Sequence, residues 1–268
     1  MNLLQEKANQ VRPLLAEVEL DSWLIFARES DIHPDPGLDL VVGAAVVRNS
    51  AFLFGAGGRR IAIVACFDVA EVRATGVFTD VIGYDEDIRP DLLAALGRLD
   101  PRSIGLNYST DDVTADGLTH GQWLLLNALL GDTPYGARLT SAAPLLSRLR
   151  GRKMPSEVEC IRRAVAATEE VVAIVTGQIR PGMSERQIAD VAHAEFRRRG
   201  LTPAWPWDGC PIVNCGPASE PGHASPRVDL RVEPGQLVHL DLGVRQDGYC
   251  SDLQRMWYVR RAGEAVAP

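Results

Sequence analysis

The sequence predicts an α/β domain with a mixed sheet and flanking helices, followed by an α+β segment. Three observations carry this. Over residues 1–148, short apolar runs alternate with helix-periodic segments. Residues 155–200 hold two amphipathic helices with clear start and stop signals. The remainder is strand-like and contains an Asp247-Gly248 turn between two apolar runs. The expected division is therefore 1–148 and 149–268.

In the first domain, Leu4, Ala8, Val11 and Leu15 recur at helical spacing. Ser22 to Arg28 reads as a strand, as do Leu38 to Val47, Ala51 to Phe54 and Arg60 to Cys66. A short helix is expected at Val69 to Ala74 and a strand near Val81. Asp91 to Leu99 reads as a helix with Leu92, Leu93 and Leu96 inward. Ser103 to Leu106 is a strand and His120 to Leu130 a helix.

A linker is expected at Leu149 to Lys153. Pro155 suits a first helical turn, and Val158, Ile161, Val165, Thr168, Val172 and Val175 form one stripe at intervals of three and four. Arg180-Pro181-Gly182 ends that helix. Ser184 and Gln187 form a capping box for the next. Its inner face is Ile188, Val191, Ala192 and Phe196, and Gly200 closes it. Strands are expected at 211–214, 236–244 and 249–260.

Composition narrows the function. Apolar residues make up 46% and charged residues 24%, the balance of a globular chain with a real core. The net charge of -7 and the lack of a large Lys/Arg cluster argue against nucleic acid as a partner. The longest apolar run is too short to span a bilayer, and the N-terminus lacks a secretory pattern. A cytoplasmic location is expected, with no membrane partner. Five scattered cysteines fit reduced thiols, and Cys210 and Cys215 read as small buried hydrophobes.

The chemistry lies in residues 237–255. If Val244 pairs with Tyr249 across a four-residue loop, Asp241 falls opposite Asp252 and both side chains share one face. Two opposed carboxylates repel and call for a compensating cation. Spacing alone leaves a divalent-metal site and a solvated pair of turn aspartates evenly matched.

Asp241-Leu-Gly243, Gly248-Tyr249, Ser251-Asp252 and Arg255 resemble the first half of the metal-site signature of the pita-bread-fold metallopeptidases. That family includes aminopeptidase P, prolidase, methionine aminopeptidase and creatinase. The helix starts around Arg152–Ala164 and Pro181–Glu185 are similar to those of its catalytic domain. Val81–Asp87, Ile104–Tyr108 and Asp116–His120 resemble a creatinase-type N-terminal domain. The resemblance implies hydrolysis of an N-terminal X-Pro peptide bond by a water activated on two metal ions, Mn or Co and with Zn also possible. It makes Asp241 and Asp252 metal ligands and His223 a catalytic residue that contacts substrate. The expected substrate is a peptide with Pro in second position, and the expected assembly a homodimer. His239 shares the alternation phase of Asp241 and is expected to line the site without being a ligand. His33, His120 and His193 read as surface or satisfied core histidines.

The family's site uses two Asp, one His and two Glu, the last three beyond the second Asp. Sixteen residues follow Asp252; they include Glu264, which reads as a loop residue and is not assigned as a ligand, and no His. The resemblance thus implies that residues 149–268 are the first half of an α+β pita-bread domain, and a C-terminally truncated chain, inactive by itself, is the expectation. Leu240, Leu242, Leu253, Trp257 and Val259 are then expected on an uncovered sheet face. Gln254 and Met256 stand where the family often has Thr. Two alternatives share the fold: a creatinase-like, metal-free amidinohydrolase, against which both aspartates count, and a non-catalytic binding module.

Overall fold

A computed structural model describes residues 2–219, 222 and 224–265. The chain divides into two units, Met1–Met154 and Pro155–Pro268. The expected boundary at 148/149 falls inside a helix, Ala143–Gly151, so the division lies six residues further on. The sequence there offers Leu145, Leu146 and Leu149, all fully buried, which keep this segment in the first unit.

The first unit runs α1 (Leu3–Glu17), β1 (Ser22–Ala27), β2 (Ser50–Gly55), β3 (Arg60–Ala65), α2 (Val69–Ala74), β4 (Asp80–Tyr84), α3 (Arg89–Leu99), β5 (Ile104–Leu106), α4 (His120–Leu130), β6 (Leu139–Ser141) and α5 (Ala143–Gly151). The strands form one sheet in the order β4-β3-β2-β1-β5-β6. It is mixed: β1–β2 and β2–β3 are antiparallel, while β3–β4, β1–β5 and β5–β6 are parallel. Strand β1 is buried along its whole length because both of its faces are covered. Trp23, Ile25 and Ala27 pack into a core with Ala8, Val11 and Leu14 of α1. Leu24 and Phe26 pack into a second core with Leu92 and Leu96 of α3 and Leu126 of α4.

The strand expected at Leu38 to Val47 is not there. Residues Leu38–Val42 form a π-helical turn, closed by Gly43, whose amide donates back to the Leu38 carbonyl. Gly43 sits at φ 70°, a left-handed value that ends a helix and breaks a strand. A short apolar run does not distinguish the two by itself. Upstream, the Asp35 carboxylate accepts from the Gly37 amide at 2.8 Å, turning the chain before the run begins.

The second unit runs α6 (Pro155–Gln178), α7 (Glu185–Arg199), β7 (Thr202–Pro203), β8 (Ile212–Cys215), β9 (Leu237–Leu242), β10 (Val244–Gln246), β11 (Tyr249–Cys250) and β12 (Leu253–Tyr258). Two small antiparallel sheets result, ordered β12-β9-β8 and β11-β10-β7. The capping box at Ser184 and Gln187 forms as expected, and Gly200 closes α7 at φ 65°. The buried stripe of α6 differs from the expected one in its first half. Glu157, Cys160, Ala164 and Thr168 are buried, while Val158, Ile161 and Val165 are only half-buried. Polar partners on the hairpin turn the helix this way: Glu157 accepts from the Tyr249 hydroxyl at 3.0 Å and Thr168 meets the Ser251 hydroxyl at 2.6 Å.

Val213, Cys215, Val238, Leu240 and Leu242 face α6 and α7, where Val171, Val175, Ile188, Ala192 and Phe196 complete the core. Leu240 and Leu242 are fully buried, against the expectation that they lie uncovered, and Trp257 and Val259 pack partly on the same core. The two helices suffice to cover that face. No helix of the described residues is long and apolar enough to cross a membrane.

Candidate metal centre

The two long strands expected at 236–244 and 249–260 each break in two, at Gly243 and at Ser251-Asp252. The hairpin joining them closes on a two-residue turn rather than a four-residue loop. Asp247 (φ 51°) and Gly248 (φ 81°) occupy the turn, and Gln246 pairs with Tyr249. Two successive positive φ values give the turn that matches the right-handed twist of a hairpin. The register is therefore two residues away from the expected one. Asp241 lies opposite Gln254, not Asp252. Leu240 lies opposite Arg255, and Leu242 opposite Leu253.

A shift of two keeps side chains on the same face. The two aspartates remain neighbours, diagonally rather than directly opposed, and their carboxyl groups come within hydrogen-bonding reach of each other. The break between strands makes this approach possible. A Cβ on Gly243 would lie 2.0 Å from the Ser251 carbonyl oxygen, so only glycine fits there. The Ser251 side chain then takes over the pairing, accepting from the Val244 amide at 3.0 Å and fastened to Thr168 of α6. At the turn, Asp247 pairs with Arg163 of α6 at 2.7 Å. Residue 252 thus projects from a segment anchored on both sides.

The electrostatics at Asp241 are unfavourable without a cation. Burial pushes its carboxyl above the usual carboxylate range, and the charge of Asp252 pushes the same way. His239 and the Gln254 amide pull against both. One oxygen, Oδ2, accepts from Gln254 Nε2 at 3.0 Å. The other, Oδ1, is buried and has no hydrogen-bond partner. An orphaned anionic oxygen beside a second carboxylate is costly unless a cation pairs with it. Two hard oxygen donors fit a divalent cation of the Mn²⁺ or Mg²⁺ kind. Two carboxylates are fewer than the ligands a tight site needs, and among the described residues no group of three His, Cys, Asp or Glu is placed to hold a metal.

Asp241 opens onto a cavity of about 880 Å³ on the outer face of β8, β9 and β12. Its lining includes Asn214, His239, Gln254, Met256 and Arg261. Met256 is 61% exposed. His239 does line this face, with Nδ1 at 3.0 Å from Asn214 Oδ1 and Nε2 at 3.4 Å from Gln254 Oε1.

His223 lies outside the described residues. The loop around it is tied at its start, middle and end to one buried carboxylate. Glu185, 2% exposed, accepts from the Cys215 amide at 2.9 Å, the Ser219 hydroxyl at 2.6 Å and the Arg227 amide at 3.0 Å. Glu264 is engaged locally, accepting from the Tyr258 hydroxyl and the Arg261 amide. His193 is a satisfied core residue, stacked on Trp207 with Nε2 at 2.8 Å from the Cys210 carbonyl. His33 and His120 are exposed in the first unit. Burial pushes the Cys215 thiol up to about 12 and raises Cys210 too, which leaves both as packing groups.

Residues that sequence reasoning did not assign to the site are Gln254, Asn214, Ser219 and Glu185. Gln254 had a signal, as a departure from the family pattern. The others become visible only once β8 is paired with β9.

Residues 159–267 match the sequence family described as metallopeptidase family M24. Among curated proteins, the chain is 29% identical over 174 residues to an uncharacterized peptidase of Schizosaccharomyces pombe, covering 65% of this chain and 34% of that protein. It is 29% identical over 127 residues to the Xaa-Pro dipeptidase of Lactobacillus helveticus, covering 47% and 34% respectively. Among solved structures, it aligns with the Xaa-Pro dipeptidase from Bacillus anthracis at TM-score 0.68 and 21% identity, over 96% of this chain and 66% of that one. The prolidase from Pyrococcus horikoshii aligns at TM-score 0.63 and 20% identity, over 96% and 65%. The chain spans less than two thirds of the length of each of these.

Proposed function

We propose, from the premise that this chain belongs to metallopeptidase family M24 through residues 159–267, that it supplies the first half of a divalent-metal peptidase site. The reaction in this reading is hydrolysis of an N-terminal X-Pro bond, the activity named for its dipeptidase and aminopeptidase relatives. The observation that carries it is the buried, unpartnered Asp241 Oδ1 beside the Asp252 carboxyl.

Each residue has a part in this reading. Asp241 and Asp252 would hold the cation. Thr168, Ser251 and the Asp247-Gly248 turn keep the two carboxyls together against their repulsion. The cavity beside Asp241 would receive the peptide, and His223 would contact it. A divalent cation bound there supplies Lewis-acid polarisation and a more acidic water. Two Mn or Co ions in the complete site, a homodimeric assembly and a cytoplasmic location belong to the same reading. With only two carboxylates in place, the 268-residue chain would bind Mn²⁺ weakly and leave X-Pro peptides uncut.

The test is a Mn²⁺ titration of the chain and of Asp241→Asn, followed by electron paramagnetic resonance of the free ion, with an X-Pro dipeptide assay alongside. Weak uptake that disappears in the variant is expected. Uptake unchanged in Asp241→Asn removes the ligand role. Rapid metal-dependent turnover by the wild-type chain removes the claim that its site is incomplete.

A further inference from the structure

The loop that leaves β1 is fastened to the first unit through a carboxyl. Of residues 28–36 only Asp35 is buried, at 4% exposed, while Ile32, the one large aliphatic side chain among them, is 83% exposed. A loop held by an apolar side chain is indifferent to pH; one held by a carboxyl is not. Asp35 Oδ1 accepts from the Gly37 amide at 2.8 Å and from Asn107 Nδ2 at 2.7 Å. The Asn107 side chain is not free to turn over, because its carbonyl accepts from Trp23 Nε1 of β1 at 2.6 Å and an indole N–H only donates. Two donors therefore meet Oδ1 whether or not the carboxyl is ionised.

The other oxygen decides the response to a proton. Oδ2 is buried without a partner, and a Cβ on Gly117 would lie 2.7 Å from it. Gly117 is fixed there by its amide, which donates to the Asn107 backbone carbonyl at 2.9 Å. Among the described residues no charged group relieves an anion at this position. On the same segment Arg28, Glu29, Asp31, His33 and Asp39 are exposed. On the facing segment Asp116 is exposed and accepts from the Ser109 amide at 3.3 Å, and Trp23, Ile25 and Asn107 carry no charge. Protonated at Oδ2, the carboxyl is neutral and keeps both bonds to Oδ1; ionised, it is a buried anion with one bare oxygen. Burial accordingly raises it to about 6 from an ordinary 3.8.

We propose that Asp35 is a proton-controlled latch, which holds the loop 28–37 against Asn107 and Gly117 when protonated and lets it lift when ionised. The loop supplies Glu29, Asp31 and Pro34 to the lining of a cavity of about 510 Å³ that Val47 and Asp68 also line. Lifting the loop widens that cavity, so access to it rises with pH. Below about pH 4 the carboxyl is neutral whether the loop is down or lifted, and the latch is at full strength. Between about pH 4 and 6 it ionises only in the lifted loop, and the opening equilibrium rises about tenfold per pH unit. Above about pH 6 it is ionised in both, and the rise levels off at about a hundredfold.

The experiment is backbone hydrogen exchange of the 268-residue chain, corrected for the intrinsic rate, at about pH 4 and pH 7 with and without a little urea, for wild type and Asp35→Asn. The Gly37 and Leu38 amides, which donate to the Asp35 side chain and backbone carbonyl, are the reporters, and Phe52 and Leu53 of the central strand β2 are the reference. In wild type the reporters lose protection about a hundredfold from pH 4 to pH 7, stay less protected than the reference at both, and ignore the urea, as a local opening does. In Asp35→Asn the dependence on pH disappears, because the amide keeps its carbonyl toward Gly37 and Asn107 and carries no charge. Wild-type reporters that hold their protection across the range overturn the latch, as does an unchanged pH dependence in the variant. Reporters that exchange only with the reference, and share its response to urea, show that the loop leaves only when the whole unit unfolds, which overturns it too. If circular dichroism shows the variant unfolded, carbon-13 titration of the wild-type Asp35 carboxyl decides: a midpoint near 6 supports the latch and one near 3.8 overturns it.

Discussion

Replacing Asp241 by Asn should stabilise the metal-free protein while removing its affinity for divalent ions. The wild-type residue carries two costs in the absence of a cation. Its Oδ1 is buried without a partner, and its charge lies beside that of Asp252. Asp241 and Asp252 sit on diagonal positions of the hairpin, and their carboxyls approach to hydrogen-bonding reach. At roughly 4 Å two unit charges repel by about 1 kcal/mol in bulk water and about 4 kcal/mol at an effective dielectric constant of 20. Asp252 is exposed, so the lower part of that range applies, about 1 kcal/mol. The amide also gains a contact. Its Nδ2 takes the place of the orphaned oxygen and donates to Asp252, while its carbonyl still accepts from Gln254. A net gain of about 1–2 kcal/mol follows, or several degrees in melting temperature for a unit of this size. The assay is thermal unfolding followed by circular dichroism with and without Mn²⁺. Wild type should melt higher when Mn²⁺ is added, and the Asp241→Asn variant should melt higher than metal-free wild type but ignore the ion. A variant less stable than metal-free wild type would show that the two carboxylates are held by something other than the cost described here.

Two further outcomes test other parts of the structure. Asp35 is 4% exposed; it accepts from Asn107 Nδ2 at 2.7 Å and from the Gly37 amide, but its Oδ2 has no partner. Burial raises its carboxyl to about 6 from an ordinary 3.8. A raised carboxyl contributes stability that is full below about pH 4 and lost as pH rises through about 6. Asp35→Asn should therefore match wild type near pH 4 and exceed it by about 3 kcal/mol above pH 7; urea unfolding at the two pH values measures the difference, and a pH-independent difference contradicts the assignment. Gly248→Ala should cost about 1 kcal/mol, because φ 81° is strained for any side chain although no atom lies within 4 Å of the added Cβ. Chemical unfolding of the variant checks this, and an unchanged midpoint would mean the turn relaxes without cost.

Much of the chain is legible from its residues because local rules decide it. The capping box at Ser184, the glycine that closes α7 and the helix at His120–Leu130 follow from short-range chemistry and appear where expected. The run Leu38–Val47 failed because a short apolar run is compatible with strand and helix alike, and Gly43 settled the matter. The stripe on α6 was misplaced at its start because an apolar count gives no weight to Glu157, which is buried for the sake of Tyr249. The boundary at 148/149 cut through α5 for a similar reason, since leucines in a basic segment read as linker until they meet a core.

At the site, sequence by itself determined that Asp241 and Asp252 share a face. Strand side chains alternate with period two, and any even register keeps them together. It also placed the turn at Asp247-Gly248, where both residues take positive φ, though with a loop two residues too long. The absolute register was decided by the tertiary structure. A two-residue turn instead of a four-residue loop slides Asp241 from Asp252 to Gln254, and only the break at Gly243, held open by Ser251 and Thr168, brings the carboxyls back together. The polar contacts from Glu185 through Ser219, Asn214 and His239 to Gln254 were likewise invisible. These residues are separated by up to 69 positions in the chain and share no local pattern; pairing β8, β9 and β12 side by side is what makes Asn214, His239 and Gln254 neighbours.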